Sequence, residues 1–363
     1  MLRSLDGYRI ADFTRLLPGP LGCRFLAEMG AEVVKLEDVK NPDPVRQYPP
    51  FRDGISWLFV LLNAGKAHVE YDRELPEHRF ALEQFLAQCD VLVEQFRPGT
   101  MEKMGLGYER VITINPRIVY VSVSGYADSA EAFQSAGHDI NYMAESGCLA
   151  FLRDGEQRPV IPAFQMADVA GGSFGLVMAV LSGLLNRERT GKGTYIRVSM
   201  TSMARHIAFL PLVWQQLHGN LDGFLLGGNL PNYTIYACRN GYVAVGALEP
   251  KFWMAFCQAM ERSEWYNRLF SDGDGGQALR QEVAATLKTM TTDEVLRKCA
   301  HPDCCVSLVR EGTAVFKSPA SHPSEYFVWQ EGTLTLQVPT FVSSLPANWD
   351  APSPGAHNKR YGF

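Results

Sequence analysis

His138, in Ala-Gly-His-Asp-Ile-Asn-Tyr, and Asp168, in Met-Ala-Asp-Val-Ala-Gly-Gly, are the residues of this chain whose types and settings could carry chemistry. One is an imidazole that titrates near neutrality; the other is a carboxylate set among apolar and small residues. Two such groups facing one carbon would remove a proton from one side and return it to the other, which is the chemistry of a racemase. The plain structural alternative is a hydrogen-bonded histidine and an aspartate that caps a helix. The pair alone does not decide between them.

The elements that must position these residues follow from the pattern around them. Residues 8–13 are β-rich and lead into Leu-Leu-Pro-Gly-Pro, with Pro20 placed to open a helix ending near Met29-Gly30. Residues 32–36, 91–95, 118–124 and 195–200 read as strands, with a helix over 78–88 and a buried helix over 171–185. Strand, helix and strand at this spacing predict a parallel sheet covered by helices, an α/β fold. After about residue 205 the character changes. The Asn-Gly at 240–241 between β-rich runs 233–237 and 242–246 is a hairpin signal, and helical segments follow at 252–260, 279–290 and 293–299. A last β-rich run covers 332–339.

The chain has 363 residues, 46% hydrophobic and 20% charged, which suits a soluble globular protein of about two domains. A formal charge of −5 gives no global attraction to nucleic acid or an anionic membrane, so any anionic ligand must be held by a local cluster of cations. The eight cysteines form no Cys-x-x-Cys pair and read as small buried hydrophobes of a reduced compartment. The start lacks the apolar stretch of a signal peptide, and the longest apolar run, 174–185, is too short to span a bilayer. A cytosolic protein without a metal site is expected.

Several stretches then fall into one order: Leu-Asp-Gly-Tyr-Arg-Ile-Ala-Asp-Phe-Thr-Arg-Leu-Leu-Pro-Gly-Pro (5–20), Met-Gly-Ala-Glu-Val-Val-Lys-Leu-Glu (29–37), Asp-Val-Leu-Val-Glu-Gln-Phe-Arg-Pro-Gly-Thr (90–100), Asn-Pro-Arg-Ile-Val-Tyr (115–120) and Arg-Thr-Gly-Lys-Gly (189–193). Over nearly its whole length the chain resembles the family III CoA-transferase and α-methylacyl-CoA racemase superfamily (CaiB/BaiF-like). The resemblance implies a Rossmann-like large domain built from both chain ends (1–205 with 320–363), a linker at 206–224, a smaller α+β domain at 225–315, and an interlocked homodimer. Three features resemble the racemase branch: His138 itself, the run from Gly227 to Trp253 that places Glu249 as a partner for the histidine, and the absence of a glycine-rich loop that some transferases carry.

A thioester acidifies its α-hydrogen, and three needs follow. Asp168 and His138 would act on opposite faces of the α-carbon, each a base for one enantiomer and an acid for the other. A backbone N–H in the segment 168–172 would stabilise the enolate oxygen. Glu249 would orient the imidazole and support its charged form. In the transferase alternative, Asp168 instead attacks the thioester carbonyl and becomes an aspartyl-CoA thioester. A third reading is a non-catalytic subunit that binds CoA esters. No separate cofactor is called for, since CoA is part of the substrate.

Three phosphate groups on CoA demand cations at one mouth of the site. Arg97 and Gly99 in Phe-Arg-Pro-Gly, Lys66 in Asn-Ala-Gly-Lys and Arg15 in the turn 14–20 are the candidates, the last at a strand's carboxyl edge. Asp38 and Ala64 stand where relatives place cations, so Lys35, Lys40 or Arg46 would compensate. There is no Gly-x-Gly-x-x-Gly fingerprint, Walker loop or Gly-x-Ser-x-Gly elbow.

Overall fold

The computed structural model describes residues 3–52, 54–127, 134–221, 224–271, 276–312, 327–330, 333–336 and 352–363. Contacts divide the chain into two compact units, Met1–Ala208 with Ser324–Phe363, and Phe209–Pro323.

In the first unit β1 (Arg9–Asp12) feeds α1 (Pro18–Glu28), and β2 (Glu32–Asp38) follows. A short hairpin of β3 (Phe51–Arg52) and β4 (Ile55–Ser56) leads to α2 (Trp57–Asn63) and β5 (Ala67–Tyr71). Then come α3 (Pro76–Leu86), β6 (Val91–Glu94), α4 (Thr100–Lys103), α5 (Tyr108–Ile114), β7 (Val119–Ser124), α6 (Asp139–Ser146), α7 (Phe174–Thr190), β8 (Thr194–Ser199) and α8 (Met200–Ile207). Six strands make one parallel sheet in the order β5-β2-β1-β6-β7-β8. All four residues of β6 are buried, as expected for a central parallel strand covered on both faces. Phe13, Leu36, Val69, Phe85, Leu92 and Tyr120 form the core on one side. The strands end at Asp12, Asp38, Tyr71, Glu94 and Ser124, so these residues line the carboxyl edge, where open α/β sheets bind ligands.

Prolines at the first turn start both α1 and α3, where a missing N–H costs nothing. The buried helix expected over 171–185 is longer: a π-helical turn over Met166–Ser173 runs straight into α7. That helical run spans 25 residues with hydropathy 1.6, long and apolar enough to cross a bilayer by composition, although 56% of its most apolar window is buried in the protein. The length argument made from 174–185 therefore does not hold. One face of α7 stays open, with Phe174, Met178, Leu181 and Leu185 exposed at helical spacing.

Residues 355–363 close the free edge of β5. Gly355 N–H donates to His68 Nδ1 (2.9 Å), and Asn358 exchanges two hydrogen bonds with the Glu70 backbone (3.0 and 2.9 Å). Tyr361 and Phe363 pack edge-on against Phe85. In this unit β12 (Phe327–Gln330) and β13 (Thr333–Leu336) pair antiparallel; the rest of the β-rich run expected over 332–339 lies outside the described residues.

The second unit holds a three-stranded antiparallel sheet, β11 (Val306–Leu308), β10 (Gly241–Gly246) and β9 (Tyr233–Cys238) in that order. Cys238 pairs with Gly241, so the turn is Arg239-Asn240, one residue ahead of the Asn-Gly signal. Helices Pro250–Ala259, Glu264–Ser271, Gln277–Lys288 and Thr292–Lys298 cover the sheet around Trp253, Phe256, Trp265 and Val283. The helix Glu264–Ser271 was not foreseen.

Candidate active site

Asp168 sits in the first turn of the helical run, at the helix N-terminus the sequence suggested, but that turn is π-helical. The turn is wedged between α1 and α8 by small residues. A Cβ on Gly172 would lie 2.7 Å from Pro18 Cβ, and one on Gly171 would lie 2.9 Å from Met200 O. The Ser173 hydroxyl donates to Pro18 O at 2.7 Å. A π turn shifts the register of a helix by one residue and recurs at functional sites. Here it presents a carboxyl whose titration burial pushes up to about 7, with the neighbouring Asp139 charge adding to the effect.

His138 lies at the start of α6, exposed, in extended backbone, with its N–H donated to Asn141 Oδ1 at 3.1 Å. The next residue joins it to Asp168. Asp139 Oδ1 accepts the Asp168 N–H at 2.8 Å and the carboxylate also takes the Ala167 N–H. Burial raises Asp139 in turn. The structure thus brings the beginning of α6 and the Asp168 turn together through one carboxylate. This occupies the Asp168 N–H, so that group of the segment 168–172 is not available to an enolate. The Asp139 and Ile140 N–H groups of α6's first turn have no acceptor among the described residues, as expected for a helix start.

Tyr142, one turn along α6, senses Asp168, Arg97 and Asp139 together; with burial as the largest cause its phenol is pushed up to about 12. Its hydroxyl donates to Gly137 O at 2.5 Å, and its ring meets Tyr126 edge-on. Arg97 therefore belongs to the same neighbourhood as Asp168. It is exposed and makes no ion pair among the described residues. Gly99, two residues on, is left-handed (φ 81°) and caps α4, a conformation suited to glycine. The turn before Arg97 is fixed from behind. Glu94 Oε2 accepts Phe96 N–H at 2.8 Å, and Gln95 Oε1 accepts Gly19 N–H at 2.8 Å, tying this turn to the β1–α1 loop. Glu94 is 5% exposed, and burial pushes it up to about 7.

Arg15 is half-buried in that β1–α1 loop, near Tyr71, and has no ion pair among the described residues. Lys66 is placed differently from its expected role. Its ammonium is buried and donates to Asp12 Oδ2 (2.8 Å), Pro20 O (2.9 Å) and Asn63 Oδ1 (3.0 Å), which uses all three protons. It cannot meet a phosphate without leaving Asp12 uncompensated. The proposed substitutes are also engaged: Lys35 with Asp43, Arg46 with Glu37, and Lys40 with Asp72 and Glu74. Asp38 faces Arg73 at 3.3 Å.

A cavity of about 430 Å³ opens beside Arg73, between the start of α3 and the turn after α4, lined by Arg79, Phe80, Met104 and Arg110 among others. Sequence reasoning missed this cluster, along with Asp139, Tyr142 and Glu94. Asp139 had a signal in its position directly after His138; Arg79 and Arg110 had none, because only the fold brings them together. Glu249 lies in the second unit, exposed, at the N-terminus of the helix Pro250–Ala259, where its carbonyl accepts the Phe252 and Trp253 N–H groups.

A parallel α/β sheet with a largely buried carboxyl, and with guanidiniums that make no ion pair among the described residues at its carboxyl edge, is the arrangement of an α/β enzyme fold. The chain belongs to CoA-transferase family III, whose model matches residues 5–358. It is 33% identical over 315 residues to the Homo sapiens protein named alpha-methylacyl-CoA racemase, covering 84% of this chain and 78% of that one. It is 32% identical over 267 residues to succinyl-CoA:glutarate CoA-transferase of Mus musculus, covering 72% of this chain and 61% of that protein, so the chain spans less than two thirds of that relative. The crystal structure of Rv3272 from M. tuberculosis superposes with a TM-score of 0.85 at 25% identity, over 98% of both chains.

Proposed function

We propose that this protein is an acyl-CoA epimerase that interconverts (R)- and (S)-2-methylacyl-CoA esters through an enolate. One observation carries the reading: Asp168, whose carboxyl burial pushes up to about 7, donates its backbone N–H to the side chain of Asp139, the residue next to His138. Near neutral pH such a carboxyl is available both as base and as acid, which a reversible epimerisation requires. From one enantiomer Asp168 takes the α-proton, electrons move into the thioester carbonyl, and the His138 imidazolium returns a proton to the opposite face. From the other enantiomer the roles exchange. The first-turn N–H groups of α6 are well suited to hold the enolate oxygen, because a helix start carries partial positive charge and these donors have no acceptor among the described residues. Glu249 is assigned the orientation of His138; Glu249→Gln then lowers turnover and spares CoA binding.

Arg97, Gly99 and Arg15 are proposed to bind the coenzyme, with Arg79 at the cavity beside α3 receiving its phosphate-rich end; Arg73 and Arg110, which share that cavity, are engaged with Asp38 and Glu83. Lys66 is left out of this set. CoA enters as part of the substrate, and no other cofactor is invoked. The open apolar face of α7, and Phe209, Leu210, Val213 and Leu217 on the helix Phe209–His218, support a second copy of the chain as partner. A cytosolic homodimer with no nucleic-acid or membrane partner is the working picture.

The second reading is a family III CoA-transferase with Asp168 as nucleophile, which the same raised carboxyl permits once ionised. Incubation of one enantiomer of a 2-methylacyl-CoA in D₂O, with and without carboxylate acceptors, tests the two. Deuterium entry with loss of optical purity, independent of acceptor, is the expected result, with the loss of optical purity abolished in His138→Ala. Acyl exchange onto the acceptor with the α-hydrogen untouched would replace epimerisation by transfer.

A further inference from the structure

The loop between β1 and α1 is held in an unusual way. Thr14 N–H and Oγ1 both donate to Asp12 Oδ1, at 2.9 and 2.5 Å. Thr14 O accepts from Lys35 Nζ at 2.9 Å. Leu16 N–H donates to Asp43 Oδ1 at 3.0 Å, and Leu16 is left-handed, with φ 64°. A branched side chain rarely adopts that conformation unless its surroundings impose it. Arg15 stands between these pins, and its own guanidinium makes no ion pair among the described residues.

Two residues outside the loop supply the pins on either side of Arg15. Lys35, from the middle of β2, and Asp43, from the proline-rich excursion after β2, form an ion pair of 2.9 Å with both side chains at 0% exposure. Asp43 is fixed in turn: its N–H donates to Glu37 Oε1 (2.9 Å), and its Oδ1 also accepts Val45 N–H (3.1 Å). Burial works against the Lys35 charge, but Asp43, Asp12 and Glu37 together hold its titration above the ordinary lysine value. A buried ion pair is seldom the most stable way to fill a core, so its retention calls for a geometric role.

We infer that Lys35 and Asp43 are positioning residues that hold the backbone of residues 14–16 in its strained form, so that Arg15 is presented to an anionic group of the ligand. Under the function proposed above, on which this inference rests, that group is a phosphate of the CoA moiety. The pair touches no ligand itself. It sets where Arg15 begins, and the freedom it removes from the loop is freedom that ligand binding would otherwise have to remove.

The test uses the full chain and coenzyme A itself as probe, by calorimetry, with amide hydrogen exchange read by mass spectrometry. Arg15→Ala and Asp43→Asn are each expected to weaken CoA binding at least tenfold. Combined, they should cost no more than either alone, because a misplaced Arg15 has nothing left to lose. In turnover, Asp43→Asn should raise KM with kcat within about twofold, the pattern of lost binding rather than lost chemistry. Exchange at the Leu16 amide should quicken in Asp43→Ala, which removes the acceptor, and stay slow in Arg15→Ala. Should Asp43→Asn fail to fold, Lys35→Met/Asp43→Asn removes the stranded charge, and the folded double variant should still bind weakly. Binding restored to the wild-type value in that double variant, or full additivity of Arg15→Ala and Asp43→Asn, would overturn the inference. Wild-type protein that binds no CoA would instead sink the functional reading and Arg15's ligand with it. The brace would then stand or fall on Leu16 exchange alone: no difference between wild type and Asp43→Ala would refute it.

Discussion

Asp139→Asn is the substitution that separates burial from charge at Asp168. Burial is the larger reason that Asp168 titrates at about 7, and the Asp139 carboxylate is the second. A like charge nearby disfavours ionisation of a carboxyl, and the half-buried setting of Asp139 keeps its effect modest through solvent screening. Asparagine keeps an oxygen to accept the Asp168 N–H, held at 2.8 Å, so the turn should stay in place while the charge goes. The expected change is a fall of about one pH unit in the Asp168 midpoint, about 1.4 kcal/mol. Carbon-13 labelling of aspartate carboxyls reads this directly, with the Asp168 resonance assigned by its loss in Asp168→Asn. A midpoint that stays at about 7 in Asp139→Asn would refute the coupling and leave burial as the whole cause. A midpoint near the ordinary aspartate value in the wild type would refute the account of Asp168 altogether.

Further expectations follow from the same groups. If the two-base reading holds, the epimerisation rate is bell-shaped in pH in both directions, because each direction needs one proton shared between Asp168 and His138; a transferase shows only a rise through about 7 as Asp168 ionises. Glu94, also raised to about 7 by burial, binds a proton in the folded state that the unfolded chain releases near its ordinary value. Its contribution to stability is therefore present at low pH and lost as pH climbs from about 4.5 to about 7. Glu94→Gln should remove that slope and raise stability at pH 8 by about 2 kcal/mol, read as a higher melting temperature. Lys66→Met should cost about 3–5 kcal/mol by stranding buried Asp12, seen as lost folded yield; a soluble variant defective only in CoA affinity would contradict the structural role given to Lys66. Gly22→Ala would place a Cβ 2.9 Å from Ser173 O, and a loss of about 1–3 kcal/mol in chemical denaturation is expected as α1 moves off the Asp168 turn.

The sheet was largely legible because parallel strands covered on both faces read as short apolar runs bounded by turn residues: β6 and β7 fall within one residue of their expected starts. β5 escaped notice because Ala-His-Val-Glu-Tyr carries a histidine and a glutamate, whose backbone and ring are served by residues near position 355 that local pattern does not connect. The π turn was hidden for a related reason. Met-Ala-Asp-Val-Ala-Gly-Gly-Ser has helical composition, and the widened register depends on packing against Pro18 and Met200. His138 and Asp168 were singled out by residue type and setting, and Arg97 by the family resemblance of its neighbours. Asp139 was not, since an aspartate at a helix start reads as an ordinary first-turn charge until its acceptor role across the turn is seen. Lys66 misled because an exposed and a fully paired lysine are identical in sequence.

The clamp on the outer edge of β5 has a consequence for how the molecule is made. The bonds between Glu70 and Asn358 join residues 288 apart, so during vectorial synthesis the first βα half emerges long before the residues that seal its border. Through that interval the open backbone of β5 is a template for pairing with any other nascent strand. The late closure sets a long loop to be bridged and makes the final step of sheet maturation slow relative to local helix formation. A chaperone that shields strand borders would thus be needed most just before residues 355–358 are released.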